Sequence, residues 1–203
     1  MFIVVRHGNT FEVGDPPRRI GARTDLPLTA TGQEQARALG RHFAERGWQF
    51  SRAFVSPLLR TRQTAEAILA AQPGDTLEPE PADFLREIDH GPDENCTEDA
   101  VLARIGRSAL DAWDSHAVPP PGWIVEAEAR VAAWRDVLAT ADAAGPVLLV
   151  TSNGAGRFAL MATPQLQRAA LNLPSLKLPT GGYGVLGRDD SGELGIRAWG
   201  VRP

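Results

Sequence analysis

The stretch Phe2-Ile3-Val4-Val5-Arg6-His7-Gly8 begins with four apolar residues and ends in two basic side chains and a glycine. A short apolar run before a turn is typical of a strand that is buried on both faces. Arg52–Val55 and Val147–Thr151 have the same character, and the latter follows the turn signal Gly145-Pro146. These runs predict three buried strands, with His7 just beyond the end of the first.

Amphipathic segments alternate with these runs. The clearest period is Ile124, Ala127, Val131, Trp134 and Leu138, which predicts one helix lying on a core. Other helices are expected after Thr31, after Ser56, and over Thr97–Trp113 and Ala155–Gln167. Near the end of the chain, Gly184-Val185-Leu186 and Ile196–Trp199 flank Asp189-Asp190-Ser191-Gly192, which is a hairpin signal.

Alternating strands and helices predict an α/β fold, a three-layer sandwich with a mostly parallel central sheet and helices on both faces. Two helix starts carry capping signals. Thr31-Gly32-Gln33-Glu34 reads as a capping box, in which the Thr hydroxyl and the Glu carboxylate each accept from a free amide. Ser56-Pro57 places a capping residue and a first-turn proline at the second start. Gly47 is the expected stop of the first helix.

The stretch from about Phe84 to Trp123 is rich in acids, contains a run of three prolines and lacks a convincing strand. We expect a helical lid insertion at 84–123 within a single domain over 1–203. Its acidic residues predict the solvent-exposed start of a helix, and they are Asp93, Glu94, Glu98 and Asp99. If Trp113 or Trp123 is exposed on this lid, it offers a contact for a homo-oligomer.

Composition narrows the function classes. The chain has 203 residues, 43% of them hydrophobic, and a net charge of −4. That charge disfavours nucleic-acid binding by bulk electrostatics. A single cysteine, Cys96, excludes an intramolecular disulfide and fits a reducing compartment. With no apolar run of eighteen residues and no signal-peptide core, we expect a soluble cytoplasmic protein without a membrane partner.

Chemistry is expected where the strands end, because ligands of open α/β sheets bind at the carboxyl ends of the strands. Arg6 and His7 follow the first strand, and Arg60 lies near the start of the helix after the second. Two guanidiniums converging on one imidazole suit a phosphate dianion. They also lower the pKa of the imidazole, which leaves a neutral nucleophile. Glu87 is a candidate proton donor if burial raises its pKa.

Four motifs in order resemble the histidine phosphatase superfamily, in its phosphoglycerate-mutase-like branch. They are Arg6-His7-Gly8-Asn9-Thr10, Gly21–Thr29 with the following Thr31–Ala36, Ser56–Ala65, and Leu85–Gly91. The resemblance implies a phosphohistidine mechanism without metal or organic cofactor, acting on a small phosphorylated substrate. His7 would be the nucleophile, Arg6 and Arg60 the ligands of the phosphoryl group, and Glu87 the proton donor. The resemblance also implies that the phosphate pocket is lined by Asn9, Gly21, Asn153 and Gly154.

One position departs from the family pattern. The late strand is followed by Ser152-Asn153-Gly154, where the family usually has a histidine between the serine and the glycine. An amide donates a hydrogen bond but brings no charge. The difference between a charged and a neutral hydrogen bond predicts a loss of about 5- to 30-fold in rate. Arg157 or His90 could restore the missing charge, whereas Arg62 is expected to point elsewhere.

Three other functions are alternatives to a phosphatase. A non-catalytic protein that binds a phosphorylated ligand is favoured by Asn153. A phosphoglycerate-type mutase is possible within the family, although the glycolytic mutases typically carry a Trp in the early loop where this chain has Arg23. Gly154–Ala159 matches a dinucleotide-binding fingerprint, but no acidic residue occurs between Asp142 and Asp189. The four histidines fall at no metal-ligand spacing, so no metal is expected.

Overall fold

The computed structural model describes residues 1–74, 77–140 and 145–203. Its strands are β1 (Phe2–Arg6), β2 (Arg52–Val55), β3 (Glu80–Pro81), β4 (Val147–Thr151), β5 (Tyr183–Arg188) and β6 (Leu194–Val201). Its α-helices are α1 (Ala30–Glu45), α2 (Leu59–Leu69), α3 (Glu98–His116), α4 (Ala127–Ala139), α5 (Asn153–Gly156) and α6 (Pro164–Ala170). Short 3₁₀ helices cover Asp83–Leu85, Gly91–Asp93 and Arg157–Met161.

The six strands form one sheet in the order β3-β2-β4-β1-β5-β6. β1 and β2 both pair in parallel with β4, and β3 pairs in parallel with β2. β5 is antiparallel to both of its neighbours, β1 and β6. The prediction of a mostly parallel sheet with a C-terminal hairpin is therefore confirmed. The carboxyl ends of β1 and β4, neighbours in the sheet, lie at one edge.

Both faces of the sheet are covered. Ile3 and Val5 of β1 point to one face, where they pack with buried residues of α1 and α2 such as Phe43 and Ile68. Phe2 and Val4 point to the other face, where the core is built from α3, α4, α6 and the Arg157–Met161 turn. The alternation of side chains along a strand divides the core in this way. It yields the three-layer sandwich expected from the sequence.

The segment predicted as a lid is joined to that second core. Val101, Leu110 and Trp113 of α3 are buried in the same cluster as Phe2 and Val4. Trp113 and Trp123 are 2% and 7% exposed. The expectation that these tryptophans are available for a contact between copies is therefore wrong, because both fill the core beneath α3.

Two predicted helix caps are wrong, because residues other than the predicted ones meet the free amides. Thr29, not Thr31, caps α1 by accepting from the amide of Gly32. Glu34 instead pairs with Arg37 and Arg41 on the surface.

At the second start, α2 begins at Leu59, and the Asp25 carboxylate accepts from the Leu59 amide at 2.7 Å. The cap of α2 comes from a residue 34 positions away in the chain. Ser56 is fully buried before the helix, where its Oγ accepts from the amide of Leu58.

Other boundaries also differ from the prediction. The expected helix over Ala155–Gln167 is divided, since Thr163 caps a new helix that starts at Pro164. α4 starts at Ala127, and Ile124, predicted to lie on its buried face, is exposed and pairs as a bridge with Asp89. The edge strand β3 was not predicted. Among the described residues, no helix combines the length and apolar character needed to cross a membrane.

Candidate active site

A cavity of about 490 Å³ opens where β1 and β4 end. Seven residues that the sequence pointed to line it, namely Arg6, His7, Asn9, Glu87, His90, Asn153 and Gly154. Loop residues 10–11 and 17–20 and residues of α3 complete the wall. The ends of β1 and β4 therefore meet at this cavity, whereas Arg60, from the helix after β2, is not among its lining residues.

His7 lies at the floor of this cavity and is 5% exposed. Its Nδ1 is 2.8 Å from the carbonyl oxygen of Gly8, which places a proton on Nδ1. Its Nε2 accepts from Nε of Arg60 at 3.2 Å. Burial, with the charges of Arg60 and Arg6, holds the pKa of His7 well below its usual value. The ring is thus neutral near pH 7, with its lone pair on Nε2.

Arg60 is completely buried and is held by backbone oxygens. Its Nη1 donates to the carbonyl of Thr24 at 2.8 Å and its Nη2 to the carbonyl of Gly21 at 3.2 Å. Arg6 donates from Nη1 to the carbonyl of Leu178, and its buried Nε has no hydrogen-bond partner among the described residues. Burial lowers the pKa of both guanidiniums from their ordinary high value, which leaves them cationic at neutral pH. Two fixed positive charges therefore lie beside His7.

Glu87 is buried and faces three backbone amides. Its Oε1 accepts from Ile88 and Ala155, and its Oε2 accepts from Gly154 at 3.0 Å. Burial by itself would raise the pKa of Glu87, but the charge of His90 and these amides outweigh it, so the pKa is lowered. The expected net rise of this pKa does not occur, because the carboxylate lies at the N-terminus of α5, where free amides favour the charged form.

Asn153 and Gly154 occupy the place of the family's late histidine motif. The Asn153 Oδ1 accepts from the amide of Leu178, so its side chain also holds the loop that positions Arg6. The Gly154 amide, predicted to bind phosphate, donates to Glu87 instead. A Cβ on Gly154 would lie 2.2 Å from Oε1 of Glu87, so the close approach of this carboxylate requires glycine.

Gly21 and Asn9, both expected to line the phosphate pocket, lie in different places relative to the cavity. The Gly21 amide donates to Glu94 and its carbonyl accepts from Arg60, so Gly21 supports the site from outside the cavity. Asn9 does line the cavity, and its backbone is anchored by Gln35 and Thr29.

Glu94 is not part of the solvated helix start that the sequence predicts, but belongs to the site. Its side chain is only 8% exposed, and Oε2 lies 3.6 Å from Nδ1 of His90. It accepts from the amides of Gly21 and His90 and from the Thr24 hydroxyl. Burial opposes ionisation, yet these bonds lower the pKa of Glu94 to about 2. No local signal marks this residue, because its donors come from residues 21–24 and from the turn at residue 90.

Arg157 and Arg62 lie away from the cavity. Arg157 is buried over the ring of Trp113, 4.2 Å from its centroid, and donates to the Trp113 carbonyl. Burial lowers its pKa to about 10. Of the two residues considered as replacements for the missing histidine charge, His90 lines the cavity. Arg62 is exposed, as expected.

An outer ring of charged residues surrounds the cavity mouth. Arg19 pairs with Glu98 and lies over the ring of Trp123, and Lys177 Nζ lies 2.6 Å from Asp114 Oδ2. These side chains are the remaining charged groups of the cavity, together with Arg18. Within the described part of the chain, no group of three or more His, Cys, Asp or Glu residues is arranged to hold a metal ion.

The arrangement suits transfer of a phosphoryl group to His7. A neutral imidazole presents Nε2 beside two guanidiniums, and a carboxylate held in its ionised form lies in the same cavity. Cations fixed by backbone groups before the substrate binds stabilise developing charge without reorganisation.

Comparison with known proteins places the chain in a family. The family model of the histidine phosphatase superfamily (branch 1) matches residues 2–200. A 2,3-bisphosphoglycerate-dependent phosphoglycerate mutase from Rhizobium etli is 36% identical over 121 residues, 59% of this chain and 57% of that protein. A protein of the same name from a Methylobacterium species is 31% identical over 162 residues, 77% of each chain. The match spans only about half of the length of the first curated relatives.

The fold is shared with solved structures as well. Mycobacterial glucosyl-3-phosphoglycerate phosphatase superposes with a TM-score of 0.78 at 20% identity, covering 100% of this chain and 99% of that one. At this level of identity the likeness concerns the fold. With the family model spanning nearly all of the sequence, the chain belongs to the histidine phosphatase superfamily (branch 1).

Proposed function

We propose that the protein is a phosphomonoester hydrolase that acts through a phosphohistidine on His7. The observation that carries this proposal is the orientation of the ring. Nδ1 is committed to the Gly8 carbonyl, so the unprotonated nitrogen is Nε2, which accepts from Arg60 Nε at 3.2 Å, and the charges of Arg60 and Arg6 keep the ring neutral. The cavity volume of about 490 Å³ fits a small phosphorylated substrate.

The reaction proceeds in two displacements. The phosphate dianion binds against Arg6 and Arg60 and takes over the hydrogen bond that Arg60 Nε now makes to Nε2. Nε2 of His7 then attacks phosphorus, the ester P–O bond breaks, and its electron pair leaves with the alcohol oxygen, which takes up a proton. Water attacks the phosphohistidine, the P–N bond breaks, its proton goes to a base, and inorganic phosphate is released.

Glu87 fits the second displacement directly. A carboxylate that accepts three amide hydrogen bonds is a base in its resting state, as activation of water requires. To act as the predicted proton donor in the first displacement, Glu87 must first become protonated. The negative charge of a bound phosphate would have to raise its pKa above that of the resting enzyme.

The test is hydrolysis of 4-nitrophenyl phosphate between pH 5 and 8 with EDTA present. Wild type should turn over, and His7→Ala should lose at least about 1000-fold, as expected for removal of a nucleophile. His116→Ala is the matched control, because His116 is exposed at the end of α3. Rapid quenching with ³²P-labelled substrate should trap an alkali-stable, acid-labile phosphoenzyme in wild type only. An active His7→Ala enzyme would contradict the proposal.

Asn153 provides a second arm of the same experiment. Asn153→His should raise the rate by about 5- to 30-fold, the difference between a neutral and a charged hydrogen bond. If wild type is inert and Asn153→His gains activity, the protein is a binder of phosphorylated ligands that has lost turnover. Unchanged activity in Asn153→His would mean that the charge is already supplied elsewhere in the cavity.

A mutase is the second candidate, favoured by the names of curated relatives at 31–36% identity. Retention of the phosphoryl group requires exclusion of water. Incubation of 3-phosphoglycerate with a catalytic amount of 2,3-bisphosphoglycerate distinguishes the two functions. A phosphatase releases inorganic phosphate, whereas a mutase forms 2-phosphoglycerate. We further propose a cytoplasmic location, supported by a single cysteine in the sequence.

A further inference from the structure

His90 lines the same cavity as His7 and Glu87 but has no part in the reaction described so far. It is 5% exposed, and the centroid of its ring lies 4.6 Å from that of Trp123 in an edge-on arrangement. Its Nδ1 is buried without a hydrogen-bond partner among the described residues and lies 3.6 Å from Oε2 of Glu94, within ion-pair distance. A histidine whose Nδ1 faces a buried carboxylate in this way has a fixed ring orientation in the cavity wall.

The Glu94–His90 pair is built into the fold. The Glu94 carboxylate accepts from Gly21 N at 2.8 Å, from Thr24 Oγ1 at 2.7 Å and from His90 N at 3.2 Å. A Cβ on Gly21 would lie 2.3 Å from Oε2 of Glu94 and 2.6 Å from Nδ1 of His90. Only glycine allows the loop to close over the pair this tightly.

The position of Glu94 decides which ring nitrogen meets the substrate. The carboxylate attracts a proton to Nδ1, so Nε2 is the nitrogen left for the cavity. Glu94 faces Nδ1, and Glu87 lies in the wall of the same cavity as His90.

The proposed function leaves one proton without a clear source. The leaving alcohol needs a proton, but all three donors around Glu87 stabilise its ionised form. The positive charge of His90 acts in the same direction, because it favours the ionised form of Glu87. Glu87 is therefore a poor source of this proton, and another acid in the cavity is needed.

We propose that His90 is a catalytic residue that donates the Nε2 proton to the leaving alcohol, with Glu94 as its positioning residue. This inference rests on the proposed hydrolase function. When Nε2 of His7 attacks phosphorus and the P–O bond breaks, the proton moves from Nε2 of His90 to the departing oxygen. His90 becomes neutral and keeps the proton on Nδ1 toward Glu94. The water proton released in the second displacement returns, through Glu87, to His90.

Other charged groups face His90 from the surrounding elements. Arg19 lies on the far side of Trp123 and pairs with Glu98 of α3, and Arg6 and His7 contribute from the end of β1. Trp123 Nε1 donates to Asp93, which also pairs with Arg104. These groups are paired with one another, apart from Arg6 and His7, which meet the phosphoryl group.

The test exploits the leaving group. 4-Nitrophenolate departs without protonation, whereas the alkoxide of glycerol 2-phosphate does not. His90→Gln should therefore lose about 100-fold or more in kcat/KM on glycerol 2-phosphate, and less than about fivefold on 4-nitrophenyl phosphate. His116→Gln is the control and should leave both substrates unchanged. His90→Ala should regain activity on glycerol 2-phosphate when imidazole is added.

Two outcomes would overturn the inference. Equal losses on both substrates in His90→Gln would mean that His90 provides charge or packing only. A loss confined to glycerol 2-phosphate in Glu87→Gln, but not in His90→Gln, would make Glu87 the donor. Thermal melting checks folding, and imidazole rescue of His90→Ala remains decisive if the Gln variant is unstable. Failure of His7→Ala to lose activity on 4-nitrophenyl phosphate would instead refute the proposed hydrolase function.

Discussion

The floor and the rim of the cavity are built from the same kinds of charged residue but are held in opposite ways. The floor, which here means His7 and Glu87 together with Arg60 bonded to His7, is buried, and its polar atoms bond mainly to backbone carbonyls and amides. The rim, Arg19, Glu98, Asp114 and Lys177, consists of side chains paired with one another, with Glu98 and Lys177 nearly half exposed.

This contrast separates chemistry from specificity. Backbone partners are less free to move than side chains, so the floor presents nearly one geometry to every phosphate. Exposed ion pairs exchange with water and contribute little energy, so the rim can rearrange around different leaving groups. Changes in the floor should therefore have large effects on rate, and changes in the rim should have small ones.

The largest effect is expected for Arg60→Gln. Arg60 is completely buried beside Nε2 of His7, and its loss removes a preorganised cation from the transition state. Loss of one such donor should reduce kcat for 4-nitrophenyl phosphate by about 100- to 1000-fold. Arg62→Gln, on the exposed side of the same helix, is the matched control. Equal losses of kcat in the two variants would contradict a specific contribution of the buried Arg60 cation to the rate.

A smaller effect, on stability, is expected for Glu94→Gln. The buried carboxylate satisfies several donors, so its loss should reduce the free energy of unfolding by about 1–3 kcal/mol at pH 7. The folded-state pKa of about 2 lies below the ordinary 4.5. The stabilisation is therefore complete above about pH 4.5 and is lost as the pH falls toward 2. Urea unfolding at pH 7 and pH 3 checks this, and a difference between the proteins that grows on acidification would contradict it.

The smallest effect is expected at the rim. Lys177→Met or Asp114→Asn breaks an exposed ion pair and should change the free energy of unfolding by less than about 1 kcal/mol. The change should shrink further in high salt, because screening weakens exposed pairs. Urea unfolding at low and high ionic strength measures it. A salt-independent loss of several kcal/mol would mean that the rim is as rigid as the floor.

Local patterns predicted much of the fold. The apolar runs at Phe2, Arg52 and Val147 become β1, β2 and β4, because burial on both faces requires continuous apolar sequence. The helix caps were harder to predict. Thr31 and Ser56 are good capping residues by type, but Thr29 and the distant Asp25 reach the free amides in the folded chain.

The site shows the same division. Arg6, His7, Asn9, Glu87 and Asn153 do meet in one cavity, because each follows a strand end or a turn at the same edge of the sheet. The Gly154 and Gly21 amides donate to carboxylates instead of facing the cavity. Which partner an amide finds depends on distances between segments far apart in the sequence, and no periodicity reports those distances.

The sequence by itself determined the α/β layers, the basic residues beside His7 and the absence of the late histidine. Each of these depends on residue type and on spacing along the chain. Only the tertiary structure decided that the pKa of Glu87 is lowered and that Glu94 is buried against His90. The physical reason is that a pKa reflects the balance between burial and nearby donors and charges. That balance exists only after α5, the Gly21 loop and the turn at His90 have come together.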